Sequence, residues 1–198
     1  MRKLQLMLLS LFLLIHMNVQ GQMLDELLNV KYKPGFAILN NGDTLRGAFE
    51  FNDCKQNYQM LVFVDPVTLT KSAFEPKEVK YFVLDSLTFQ PKELKEGLVF
   101  VRLLLYDSLK VYLHKRFYTS NVSSGVENQI MYEKPNGKYL LVSFDNFFPF
   151  KTQVGNFFSD DPELSEKIEN NTYTKKDIFK IALDYNKWLR RDTKKQHE

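Results

Sequence analysis

Residues 35–51, GFAILNNGDTLRGAFEF, read as a β-hairpin closed at Asn41 and Gly42. A tight type I′ turn needs φ > 0 at both central residues, and Asn-Gly tolerates that better than any other pair. The second arm alternates. Leu45, Gly47, Phe49 and Phe51 share one face and Thr44, Arg46 and Glu50 the other, as a strand with one buried side requires. Glycine in mid-strand costs stability, so Gly47 points to a bulge or to the close approach of another backbone.

Downstream the same signals repeat. Tyr58–Val64 forms a strand stopped by Asp65-Pro66, with Lys71–Phe74 as its hairpin mate. Glu75–Glu78 makes a corner into Lys80–Leu84. Thr88–Gln90 is a short strand ending at Pro91, and Lys92–Glu96 a loop or short helix. Leu98–Tyr106 is the most apolar run after the N-terminal segment and therefore a central strand. In the strand after it, Leu109, Val111 and Leu113 alternate with Lys110, Tyr112 and His114, which places the latter three on a wet face. Thr119–Asn128 is rich in Ser, Asn and Gly and reads as a loop. Pro135-Asn136-Gly137 closes a last hairpin between 129–134 and 138–144.

From Asp145 the pattern turns helical. Asp161-Pro162 is an N-cap and N1 pair starting a short helix, and Thr174 with Asp177 caps a second. In that second helix Ile178, Ile181, Ala182, Tyr185, Trp188 and Leu189 recur at helical spacing, so one stripe faces a core, while Leu183 breaks the stripe. The expected fold is α+β: residues 35–144 an antiparallel β meander (roll, sandwich or partly open barrel), closed by two C-terminal helices within residues 145–192, with 193–198 as a tail.

Residues 1–21 have the form of a secretory signal: Arg2 and Lys3, then apolar Leu4–Ile15, then a polar stretch with Val19 and Gly21 at −3 and −1 of a cut before Gln22. The apolar run is short for a membrane span. Export through the Sec pathway to the periplasm or beyond is expected, with residues 22–34 as a lead-in and no membrane-spanning helix in the mature chain. Without Arg2 and Lys3 the balance falls from 27 basic against 24 acidic residues to 25 against 24, which argues against nucleic acid as a partner. Cys54 is the single cysteine, so an intrachain disulfide is excluded.

Gly42-Asp43-Thr44-Leu45-Arg46-Gly47, Phe74-Glu75-Pro76-Lys77-Glu78-Val79, and Tyr173-Thr174 with Tyr185-Asn186 together carry a resemblance. In this order, across nearly all of the chain after residue 21, they resemble a family of uncharacterised exported proteins of Gram-negative bacteria, a domain of unknown function. The resemblance implies an envelope or secreted location and a β-rich module closed by a helix. It implies no reaction.

Catalytic patterns are sparse. The three histidines, His16, His114 and His197, are too scattered for a zinc site, and no cofactor is expected. There is neither a G-x-S-x-G elbow nor an S-x-x-K pair, and Cys54 has no base beside it in sequence. Asp43, Asp53, Asp65, Asp85, Asp107 and Asp145 fall at strand ends, where turns favour aspartate. The candidate binding residues are Asp43 and Thr44 on the first turn, Arg102 as a charge within an apolar strand, and the aromatic group Phe147, Phe148, Phe150, Phe157 and Phe158. Packing between sheet and helices is the plainer role for these phenylalanines. The leading expectation is a non-enzymatic interaction or structural module of the envelope, meeting an envelope protein or a glycan. A carboxylate-dependent hydrolase of glycan or peptide and a small-ligand carrier are the alternatives. A pair of converging carboxylates held protonated would favour the hydrolase, and an exposed apolar patch the module.

Overall fold

The computed structural model describes residues 32–51, 58–119, 124–143 and 150–195, with backbone alone for 193–195. The signal and lead-in up to residue 31, Asp53, Cys54, Asp145, Phe147 and Phe148 lie outside these. The α+β class is as expected. Ten antiparallel strands form one open sheet: β1 (Tyr32–Leu39), β2 (Thr44–Glu50), β3 (Leu61–Val64), β4 (Lys71–Phe74), β5 (Val79–Leu84), β6 (Leu87–Leu94), β7 (Gly97–Leu105), β8 (Lys110–Thr119), β9 (Ser124–Glu133) and β10 (Tyr139–Ser143). Their order is β10-β9-β8-β7-β6-β5-β1-β2-β3-β4, two meanders joined where β1 pairs with β5. Among the described residues three helices follow rather than two: α1 (Phe150–Phe157), α2 (Pro162–Glu169) and α3 (Ile178–Lys195). α1 has no signature in the sequence, since its eight residues carry no capping signal.

The founding hairpin forms with a different turn. Asn40-Asn41-Gly42 is a three-residue loop in which the Gly42 amide donates to Leu39 O and the Leu39 amide to Asp43 O. Gly42 takes φ +94°, whereas Asn41 is not among the positive-φ residues, so the type I′ reading is replaced by a turn with a glycine bulge. Pro135-Asn136-Gly137 repeats it, with Gly137 donating to Lys134 O and Lys134 to Lys138 O. In both loops the asparagine Oδ1 accepts the amide two residues on, Asp43 or Lys138.

Only four residues, Glu75 to Glu78, carry the chain from Phe74 on the outer strand β4 to Val79 on β5, four strands away. That span reaches at most about 17 Å, less than about 19 Å across four flat steps. The first half of the sheet therefore coils. Its inner face holds one core, with Phe82 stacked on Phe89 at 4.7 Å and edge-on to Phe100 at 4.9 Å, and Phe49 and Phe63 opposite. Paired glycines permit the close strand approach: a Cβ on Gly35 would lie 2.1 Å from Val83 O, and one on Gly47 3.0 Å from the Phe63 ring. The same face of β8–β10 carries a second core, where Val111, Ile130, Tyr132 and Val142 meet Val154, Phe158, Ile168, Ile181 and Tyr185 of the helices.

Other boundaries differ for physical reasons. β6 runs through Pro91 to Leu94, because β5 pairs with it only as far as Phe89 and the missing proline N–H faces no neighbour there. Of the stretch Thr119–Asn128 read as a loop, Thr119 ends β8 and Ser124 to Asn128 are strand, held by five residue pairs to β8. Tyr58-Gln59 is a helical turn, so β3 starts only at Leu61. β1 begins at Tyr32, ahead of Gly35. The expected wet face of β8 is buried at Tyr112 and His114, because the sheet also bends over its opposite face. There Leu94, Val101, Tyr112 and Met131 form a small core, and Lys92 of β6 reaches Glu133 of β9 at 2.6 Å.

Polar fasteners hold α3. The buried Asn186 side chain accepts from the Leu109 amide at 2.7 Å and donates to Leu109 O at 3.2 Å, gripping the β7–β8 turn as a strand neighbour would. Tyr185 donates to Asp160, Tyr132 to Ile178 O and Tyr173 to Asp184. Thr174 and Asp177 form the expected capping box. Among the described residues no helix is long and apolar enough to cross a membrane.

Candidate functional site

β7 and β8 are nine and ten residues long, yet they share only the pairs Arg102↔Leu113, Leu103↔Tyr112 and Leu105↔Val111. Beyond Leu113 they part, and a cleft of about 380 Å³ opens between them. Val99 and Glu96 line one wall, His114 to Thr119 the other, with Tyr58 and Gln59 closing one side. Tyr58 is wedged there by the Phe117 ring at 6.0 Å.

A buried polar chain runs from this cleft across β8 and β9. Glu96 Oε1 lies 3.2 Å from His114 Nε2, and Gln129 Oε1 lies 3.1 Å from His114 Nδ1. Gln129 Nε2 donates to Glu127, which fixes the amide so that His114 Nδ1 is the donor to its oxygen. Glu127 also accepts from Ser143 and, at 3.4 Å, from Arg116. Ser143 thus donates to a carboxylate and not to an imidazole, which is not the arrangement of a nucleophile beside its base. His114, 2 % exposed, was expected at the surface. The signal that could have buried it is the apolar run of β7, whose residues on both faces need buried neighbours on β8.

Tyr118 stands at the mouth of the cleft. It pairs with Gly125 across β9, and a Cβ on that glycine would meet the tyrosine oxygen at 2.7 Å and Cζ at 2.9 Å. The phenol covers the bare glycine backbone and still exposes 44 % of the residue. Gly125 lies in the stretch Thr119–Asn128 that the sequence reads as a loop.

A second exposed feature is the β3–β4 turn. Asp65 Oδ1 accepts from the Val67 and Thr68 amides, and the Leu69 amide donates to Asp65 O. The Thr68 and Val67 amides hold the Asp65 carboxyl below its ordinary range. On this locked turn Val67 is 88 % and Leu69 74 % exposed, and Leu69 adopts φ +58°. Left-handed backbone costs a residue with a Cβ roughly 1–2 kcal/mol.

The candidates read from sequence are dispersed. Asp43 bonds to Asn41 within its loop and Thr44 is exposed at the start of β2. Arg102 is half-buried between the two cores, beside Phe89 and Leu113 in register. Its Nε is shielded from solvent without a hydrogen-bond partner among the described residues. Phe150, Phe157 and Phe158 are buried in the helical core, where Phe157 and Tyr185 lie 4.8 and 5.0 Å from Lys134 Nζ, which also bonds Asp160 at 2.7 Å. Among the described carboxylates, burial pushes Asp161 up, and Asp161 accepts the Leu164 amide as the N-cap of α2. No group of three or more ligand side chains that could hold a metal occurs among the described residues.

No family model, curated protein or solved structure matches the chain.

Proposed function

We propose that this chain is a non-enzymatic interaction module that works outside the cytoplasm and docks a partner protein through the β3–β4 turn. The observation that carries the reading is Leu69. An apolar side chain that is 74 % exposed at φ +58° is costly twice, in hydration and in backbone strain, and a turn this well bonded could accommodate glycine or asparagine there at less cost. Strain kept at an exposed position points to use of the side chain. Val67 beside it doubles the apolar surface, and the Asp65 bonds present both rigidly, which lowers the ordering cost of docking. The N-terminal signal pattern and the resemblance to exported Gram-negative proteins support the location, and membership in that family is part of the proposal.

A photo-crosslinking amino acid placed at residue 69 in living cells of the source organism tests this. A discrete protein adduct is expected from position 69 and not from the exposed control position Ser86. Adducts equal at both positions, or none, would remove the docking role. Mass spectrometry of the recovered protein should give Gln22 as its first residue, and a retained Met1 would contradict export by cleavage.

A further inference from the structure

We infer that the cleft between β7 and β8 is a carbohydrate-binding site with Tyr118 as its stacking platform. Three observations converge. The first is the ring itself, which covers Gly125 and remains 44 % exposed at the cleft mouth, an aromatic surface with one side seated on the sheet. The C–H groups on one face of a sugar ring are electropositive and pack on the electronegative face of an aromatic ring. A tyrosine held in place loses little rotamer freedom when a ligand stacks on it.

The second is the polarity of the lining. Each sugar hydroxyl is at once a donor and an acceptor, so its site needs both kinds of group within reach. Arg116 supplies donors and stays half-exposed while touching Glu127, Glu96 supplies an acceptor and is 37 % exposed at its side chain, and Gln59 and Thr119 supply both. A phosphate or sulfate site would be lined by donors alone, and Glu96 would oppose such a ligand. The third is rigidity. The chain Glu96–His114–Gln129–Glu127 fixes the floor, so the acceptor and Arg116 are positioned before any ligand arrives. The volume of about 380 Å³ lies in the range of small-ligand sites.

The site and the β3–β4 turn are on different elements, so the two proposals fail separately: crosslinking at residue 69 does not read Tyr118, and sugar binding does not read Leu69. The test is calorimetric titration of the purified full chain with soluble hexasaccharides of β-1,4-glucose, β-1,4-N-acetylglucosamine, α-mannose and α-1,4-galacturonate. At least one should bind at millimolar concentration or below. Tyr118→Ala should weaken that binding about tenfold, Tyr118→Phe should leave it within about twofold, and Gly125→Ala, which displaces the ring, should weaken it as well. Arg116→Ala gives a second reading should Tyr118→Ala fold poorly. Absence of binding to all four sugars would overturn the inference. So would equal affinity in Tyr118→Ala and Arg116→Ala, or binding of an extended peptide such as hexaglutamate in their place.

Discussion

Asn186→Ala should be among the most damaging single substitutions in the helical segment. The side chain is fully buried and makes two hydrogen bonds to one residue, Leu109, itself fully buried. Removing it deletes both bonds and leaves a dry N–H and a dry C=O. Each such orphan costs about 1–3 kcal/mol, so the loss should be about 3–5 kcal/mol. For a chain of this size that corresponds to a fall in Tm of about 10 °C. Arg190→Ala provides the internal comparison, since Arg190 binds Asp107 on the same turn at 2.9 Å but is 56 % exposed at its side chain. A pair so exposed contributes about 0–1 kcal/mol. Urea unfolding followed by far-ultraviolet circular dichroism would give both values. If Asn186→Ala cost less than about 1 kcal/mol, no more than Arg190→Ala, the grip on Leu109 would not be what seats α3, and the reasoning from buried amides would be refuted.

Gly35→Ala should destabilise by about 3 kcal/mol or more, because its Cβ would lie 2.1 Å from Val83 O and force β1 from β5; a urea midpoint near that of the parent would contradict the close approach. Leu69→Gly should raise stability by roughly 0.5–1 kcal/mol, and a lower Tm would show that Leu69 is not strained. Burial alone would raise the Asp160 carboxyl, but hydrogen bonds from Lys134 and Tyr185 outweigh it and hold the group below its ordinary 3.8. A carboxylate lowered in the fold stabilises above its unfolded value and loses that contribution as pH falls through the folded one. Asp160→Asn should therefore flatten the stability profile below about pH 4, and an unchanged acid limb would remove Asp160 as its source.

Local chemistry made much of the fold legible. Asn-Gly and Pro-Asn-Gly located two hairpins, Asp161-Pro162 and Thr174 located two helix starts, and the stripe of α3 named its buried apolar residues but not the buried Asn186. What failed to read was set by partners distant in sequence. His114 is buried because the sheet bends over it, Pro91 is tolerated because β5 stops short, and Gly125 is strand because Tyr118 covers it. The pairing of β1 with β5 and the parting of β7 from β8 have no signature in either strand alone, which is why the cleft was not anticipated. Asp43, Thr44 and Arg102 stood out by residue type, whereas Leu69 and Tyr118 stand out only through backbone angle and exposure.

The junction of the two meanders also sets a timetable. β1 is translated with β2, β3 and β4 directly behind it, and those hairpins can zip as they emerge. Its other edge waits for β5, whose register places Gly35 opposite Leu84. During that interval a nascent chain holds an apolar strand, FAIL, with one open side, the kind of edge that recruits neighbouring chains. Lys33 and Pro34 stand at the entry of that strand, a charge and a residue without an amide hydrogen, both poor templates for a foreign strand. The vulnerable period closes when the four residues 75–78 swing the chain from β4 back to β1, so anything that lengthens or stiffens them should show first as aggregation during folding, before any loss of stability in the finished protein.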